Sequence, residues 1–104
     1  MADYEKQTFA IDWDGIAVSV VYAPDWLNMS KRGVASAHLE ITAIKPARAP
    51  LPISETGYRS LFTQAETIEA AGGAAAYALA WLNEAARDPA WIKYKAQSAQ
   101  LELF

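Results

Sequence analysis

Two runs of alternating apolar and polar residues flank the dipeptide Asp14-Gly15, and no other sequence feature constrains the fold as strongly. Residues 8–13 and 16–22 both show the period-two pattern of half-buried strands. Asp-Gly supplies the two positive φ angles of a type I′ turn, a common two-residue hairpin loop. A hairpin closed at this turn places one set of apolar residues on a single face: Phe9, Ile11, Trp13, Ile16, Val18 and Val20.

A third strand is predicted from Ala35 to Ile44. Alternate residues of this segment are apolar and are expected to face the core: Ala37, Leu39, Ile41 and Ala43. The residues between them are polar and are expected on the outer face: Ser36, His38, Glu40 and Thr42. One buried and one wet face is the usual arrangement of an antiparallel sheet.

The segment from Lys45 to Ser60 is rich in proline and is predicted to be an irregular crossover, because proline cannot donate to a strand ladder. Thr63-Gln64-Ala65-Glu66 then fits a capping box, with Thr63 as the N-cap of a long helix. Gly72-Gly73 interrupts that helix, and the sequence leaves a kink, a break and a close backbone contact open. Asp88-Pro89 predicts a short final helix that extends to about Gln97.

Together these elements predict an α+β fold. A β-hairpin and a third strand pack against one or two helices, and a short C-terminal helix follows. A chain of 104 residues suffices for one hydrophobic core. We therefore expect residues 1–99 to form a single domain and residues 100–104 to form a C-terminal tail.

The residue types that support catalysis are scarce. The chain has no cysteine and one histidine, so we expect no metal site and no cofactor. Gly72-Gly73 lacks the lysine and hydroxyl residue of a phosphate-binding loop. His38 and Glu40 share one face of the third strand and are the only candidates for a general base, although a surface histidine fits the same pattern. We expect a protein that binds and does not catalyse.

Basic residues are concentrated in the middle third of an otherwise acidic chain. Residues 31–60 contain Lys31, Arg32, Lys45, Arg48 and Arg59, while the whole chain has a net charge of −3. A local basic patch and scattered solubilising charge both fit this distribution, and the acidic balance argues against direct nucleic-acid binding. The N-terminal residues resemble no signal peptide, and no apolar run is long enough to span a membrane, so we expect a cytoplasmic protein.

The chain ends in Gln100-Leu101-Glu102-Leu103-Phe104. This pentapeptide resembles the motif with which bacterial replication and repair proteins bind the β sliding clamp. The resemblance covers these five residues alone and implies a partner, not a fold. It assigns the contact to Gln100, Leu101, Leu103 and Phe104, with the apolar side chains in pockets and the glutamine amide fixing orientation.

The same residues also fit a structural role. Leu101 and Leu103 alternate with Glu102, as in a short edge strand, and Phe104 is large enough to cap the core. A helical stripe is the other structural alternative: Ile92, Ala96, Ala99 and Leu103 recur at helical spacing. The sequence leaves a free tail and a buried tail equally open.

Residues 50–60, after the strand segment 38–41, resemble stretches of uncharacterised small proteins carried by bacterial plasmids and phages. This likeness implies a mobile genetic element and no activity. The leading interpretation is an accessory protein that binds a host protein, with the sliding clamp as the first candidate. The alternative is a regulator of the anti-CRISPR or anti-restriction type that inhibits a host defence or DNA-processing complex through its folded surface. Its candidate contacts are Trp26, Lys31, Arg32 and Arg48. The wide apolar arc of the long helix also permits a homodimer.

Overall fold

The computed structural model describes residues 6–24 and 36–101, with side chains up to Ala99. Its four strands form one antiparallel sheet in sequence order: β1 (Gln7–Trp13), β2 (Ile16–Ala23), β3 (Ser36–Lys45) and β4 (Tyr58–Gln64). Helices α1 (Ala65–Ala70), α2 (Ala74–Ala85) and α3 (Pro89–Leu101) follow. The predicted α+β class is confirmed, including the hairpin, the third strand and the C-terminal helix.

The hairpin has the predicted register. Trp13 lies opposite Ile16, and Phe9 lies opposite Val20. Asp14 and Gly15 have φ angles of 50° and 80°, as a type I′ turn requires. Turn chemistry and side-chain alternation therefore specify the same pairing.

The core lies between one face of the sheet and the helices. Leu39 and Ile41 of β3 and Val20 of β2 are fully buried, in the centre of the sheet. Helix α2 packs on β1 and β2 and contributes Ala74, Ala78 and Leu82 to the core. Two of these three residues are alanines, whose small side chains let the helix lie close to the strands.

Strand β4 is the main departure from the predicted fold. The segment 58–64 pairs antiparallel with β3, and Leu61 lies opposite Leu39 while Thr63 lies opposite Ala37. The predicted crossover is therefore a loop, residues 46–57, between two neighbouring strands of the sheet. Thr63 is therefore a strand residue, and the prediction that it caps the helix was wrong. The helix begins at Ala65 after Gln64, whose side chain makes no capping hydrogen bond. Pairing with β3 and capping of the helix are alternative roles for Thr63. Pairing with β3 supplies hydrogen-bond partners for its backbone.

The glycine pair separates α1 from α2. Gly72 and Gly73 have φ angles of 101° and 109°, a backbone region that other residues rarely adopt. The amide of Gly73 donates to the carbonyl of Ile68 at 3.0 Å, which closes the end of α1. Of the three alternatives left by the sequence, the structure shows a break.

Helix α3 lies largely outside the core. Trp91 is half-buried, whereas Ile92 is 57% exposed and both Ala96 and Ala99 are exposed. The helix continues to Leu101, beyond the predicted end near Gln97. Its backbone thus includes the first two residues of the pentapeptide, while Leu103 and Phe104 lie outside the described residues.

Within the described residues, no helix combines the length and the apolar character needed to cross a membrane.

Candidate functional site

A groove of about 650 Å³ separates the proline-rich crossover from the start of α3. One wall consists of residues 50–55, and the other consists of Asp88, Ala90, Trp91 and Tyr94. The wall residues include two prolines, two aromatic side chains and two carboxylates, from Glu55 and Asp88. The groove therefore combines apolar surface with acidic groups.

The crossover wall is held in shape by its own backbone. Leu51 is 2% exposed and anchors the segment in the core. Its amide donates to the carbonyl of Ser54 at 2.8 Å, and the amide of Ser54 donates back to the carbonyl of Leu51 at 2.9 Å. Gly57 ends the wall with a φ of 76°, and a Cβ there would lie 2.7 Å from the carbonyl oxygen of Ala49. The proline-rich segment is therefore a defined turn.

The helical wall begins with a side-chain cap. The carboxylate of Asp88 accepts a hydrogen bond from the amide of Ala90 at 2.8 Å, as expected of an N-cap before Pro89. One turn later, Trp91 packs between Trp13, with ring centroids 6.0 Å apart, and Tyr94, at 5.2 Å. Tyr94 remains 40% exposed. The wall thus presents an aromatic pair whose inner member is fixed against the hairpin.

A smaller groove, of about 470 Å³, also borders Trp91. The indole N–H of Trp13 donates to the side-chain oxygen of Asn83 at 2.9 Å, which satisfies the polar atom of a buried ring. Lys95 of α3 forms an ion pair with Asp14 of the hairpin turn at 3.1 Å. The first contact connects α2 to the hairpin, and the second connects α3 to it.

The outer face of the sheet contains His38 and Glu40, the two candidates for general-base chemistry. His38 stacks on Phe62, with ring centroids 4.5 Å apart. Glu40 accepts a hydrogen bond from the Tyr58 hydroxyl at 2.8 Å, and this bond raises the pKa of Tyr58. Neither groove includes His38 or Glu40. Each residue therefore contacts an aromatic side chain of β4, and the two are not arranged around either groove.

The predicted basic residues do not all lie on one face. Arg59 stands on the helix-covered side of β4, with its guanidinium 5.6 Å from the ring of Trp81. Arg48 is exposed in the crossover, and its positive charge partly offsets the rise in the pKa of Tyr58 on the outer face. Trp26, Lys31 and Arg32 lie outside the described residues. In the described ranges, moreover, no three His, Asp or Glu side chains are grouped in a way that could hold a metal ion.

The sequence interpretation did not identify the groove. Its walls are separated by more than thirty residues of chain, and only the tertiary structure brings them together. The signal in the sequence was the combination of Pro50 and Pro52 with an aromatic pair at helical spacing, Trp91 and Tyr94. Such a pair at helical spacing, with one aromatic ring exposed, indicates a candidate binding surface.

A family model of the KlcB third domain matches residues 6–91 of the chain. The chain belongs to the KlcB third-domain family. The matched region contains the whole sheet, α1 and α2, and it ends at Trp91, in the first turn of α3. The KlcB-like family is plasmid-associated, which indicates a plasmid-encoded accessory protein. Comparisons with curated proteins and with solved structures gave no significant match.

Proposed function

We propose that this KlcB-like domain acts by binding a host protein and not by catalysis, and that its C-terminal pentapeptide is a ligand for the bacterial β sliding clamp. Gln100, Leu101, Leu103 and Phe104 would make the contact. The folded domain would then be tethered to the replication machinery. A plasmid protein gains access to newly replicated DNA in this way.

The observation that carries the proposal is the exposure of α3 beyond Trp91. Ile92, Ala96 and Ala99, which form the helical stripe that would bury the tail, are all exposed. The buried set that stabilises the fold comes from the sheet, the crossover, α1 and α2. Helix α3 therefore supports a tail that binds a partner over a tail that is buried, because the helical stripe that leads to the tail is not part of the core.

Binding requires a change at the end of α3. Clamp-binding peptides of this class are expected to lie extended, whereas Gln100 and Leu101 are helical in the free chain. The last turn of a helix has few hydrogen bonds and frays easily, so unwinding it costs little.

The apolar anchors set the expected affinity. Burial of each of Leu101, Leu103 and Phe104 contributes roughly 1.5–3 kcal/mol. After the ordering of the tail is subtracted, a dissociation constant on the order of micromolar is expected. Such a contact would tether the domain without locking it on the clamp.

Titration calorimetry of the intact chain with a bacterial β clamp tests the proposal. The Leu103→Ala, Phe104→Ala double variant should lose measurable binding, since it removes two of the three apolar anchors. Glu102→Ala is the matched control, because its position in the motif tolerates small or acidic residues, and it should bind like the parent. Circular dichroism should show that both variants remain folded.

Three results would count against the proposal. The intact chain would fail to bind the clamp, or the double variant would bind as tightly as the parent. Unfolding of the double variant would assign the tail to the core, and it would shift attention to the folded surface and to the alternative of an inhibitor of a host complex.

A further inference from the structure

We infer that the groove between the crossover and α3 is a second binding site, which takes an extended, proline-containing peptide carrying arginine from a protein partner. The site is separate from the C-terminal tail. It is formed by residues of the folded domain, and the inference does not depend on whether the tail binds a clamp.

The apolar surface of the groove determines the backbone shape of the ligand. Trp91 and Tyr94 form one side and the ridge of Pro50 and Pro52 forms the other. A shallow aromatic groove of this kind suits a polyproline II helix, whose ridges fit between rings and whose prior rigidity reduces the entropy lost on binding. The volume of about 650 Å³ accommodates a few residues of such a chain.

The charges of the groove determine the side chain that the ligand must carry. Glu55 and Asp88 are the charged lining residues, and both are acidic. The lysines of α3 are not among the lining residues, and Lys95 is paired with Asp14 of the hairpin turn. Charge complementarity therefore calls for a cation on the ligand.

The aromatic pair favours arginine as that cation. A guanidinium is planar and stacks on an aromatic ring, and it can also donate hydrogen bonds to a carboxylate. Tyr94 offers an accessible ring at 40% exposure, and the acidic residues Asp88 and Glu55 line the same groove. A lysine ammonium can also pair with the carboxylates, but it has no planar group that stacks on an aromatic ring.

The groove is also preorganised. Its crossover wall is closed by the paired backbone hydrogen bonds of Leu51 and Ser54, and its helical wall is fixed by Trp91 against Trp13. Walls that keep their shape without ligand lose little entropy on binding. Peptide binding is therefore expected to cost the protein little conformational entropy.

The test is a titration of the intact chain with the capped peptide Ala-Pro-Leu-Pro-Arg-Pro-Ala, followed by calorimetry and tryptophan fluorescence. Tyr94→Ala should weaken binding about tenfold, because an exposed aromatic anchor is lost. The double variant Glu55→Gln, Asp88→Asn should weaken binding about threefold to tenfold and reduce its dependence on salt. Asparagine keeps the capping function of Asp88, so the helix start is preserved.

Two controls make the result specific. Ile92→Ala changes an exposed residue of the same helix that does not line the groove, and it should leave binding unchanged. A peptide with citrulline in place of arginine keeps the shape and loses the charge, and it should bind about tenfold more weakly. Thermal unfolding should show that each protein variant is folded.

The inference is overturned if the arginine peptide does not bind at about millimolar concentration, the range of weak specific contacts. Equal binding of the citrulline peptide would overturn the assignment of a cationic ligand. Equal effects of Tyr94→Ala and Ile92→Ala would place the peptide elsewhere. A dimer of the free chain that Tyr94→Ala dissociates would make the groove a self-interface and would also overturn the inference.

Discussion

The sheet with α2 and the region formed by the crossover with α3 contrast sharply in how they are stabilised. In the first region, the inward side chains of β2 and β3 are almost completely buried, and Val20, Leu39 and Ile41 have no exposed surface. In the second, Leu51 and Trp91 are the anchors, while Ile92 and Tyr94 are exposed. The buried side chains therefore come mainly from the sheet and α2, whereas α3 contributes mainly exposed surface.

The largest expected effect separates the two regions directly. Leu39→Ala should lower the free energy of unfolding by roughly 2–5 kcal/mol, because it leaves a cavity at the centre of the sheet. Ile92→Ala on α3 should change it by less than about 0.5 kcal/mol, because its side chain is 57% exposed. Urea denaturation of both variants measures the difference, and similar losses would refute the division into two regions.

The second prediction compares two glycines with positive φ angles. Gly57→Ala should cost about 2–3 kcal/mol, because the new Cβ meets the carbonyl oxygen of Ala49 at 2.7 Å in addition to backbone strain. Gly15→Ala should cost about 1 kcal/mol, since its φ of 80° is strained but no atom lies within 4 Å of the Cβ. Thermal unfolding measures both values. Equal costs would show that the crossover turn relaxes freely.

The third prediction concerns pH and the link between the sheet and α1. Burial, together with a 3.2 Å hydrogen bond to Glu69, raises the pKa of Tyr22 from 10.0 to about 12. A raised pKa means that the folded state holds the phenolic proton more tightly, so the stabilisation is present below pH 10 and is lost as pH rises towards 12. The loss should be about 1–2 kcal/mol, because Glu69 is exposed to solvent.

Chemical denaturation at several pH values from 9 to 12 measures this loss of unfolding free energy. Tyr22→Phe should flatten the pH dependence over that range. Tyr77→Phe is a suitable control for the general effects of alkaline pH. An unchanged slope in the Tyr22 variant would remove this residue as the cause.

The smallest expected effect lies in the ion pair that joins α3 to the hairpin. Lys95 and Asp14 are 45% and 50% exposed, so Lys95→Gln should cost no more than about 0.5 kcal/mol. The loss should disappear at high salt, because exposed charges are screened. A double-mutant cycle with Asp14→Asn measures the coupling, and a value above about 1 kcal/mol would mean that α3 is held more firmly than its exposure indicates.

The parts of the fold that were predicted correctly depend on local chemistry. Asp14-Gly15 favours a type I′ turn wherever it occurs between alternating strands, and it therefore specified the register of β1 and β2. The alternation of Leu39 and Ile41 with polar residues identified β3 for the same reason. Strand β4 was missed because Thr63 and Glu66 mimic a capping box, and because Leu61 is the single large aliphatic residue on its inward face.

The groove could not be predicted because its two walls are far apart in the chain, and neither wall alone indicates a groove. Pro50 and Pro52 indicated an irregular segment, and Asp88-Pro89 indicated the start of a short final helix. Neither pattern specifies that the two segments face one another, or that Glu55 and Asp88 lie in the same groove. Among the candidate contacts named from the sequence, Arg48 is described and exposed, and it does not line the groove.

The sequence by itself determined the hairpin, the third strand, the α+β class and the presence of the clamp-like pentapeptide, because turn geometry, side-chain alternation and motifs are properties of adjacent residues. Only the tertiary structure decided that 58–64 joins the sheet, that Gly72-Gly73 breaks the helix, and that α3 lies with its aromatic pair beside the proline ridge. Those outcomes depend on competition between local preferences and partners distant in the chain, and the free energy of burial and strand pairing settles that competition.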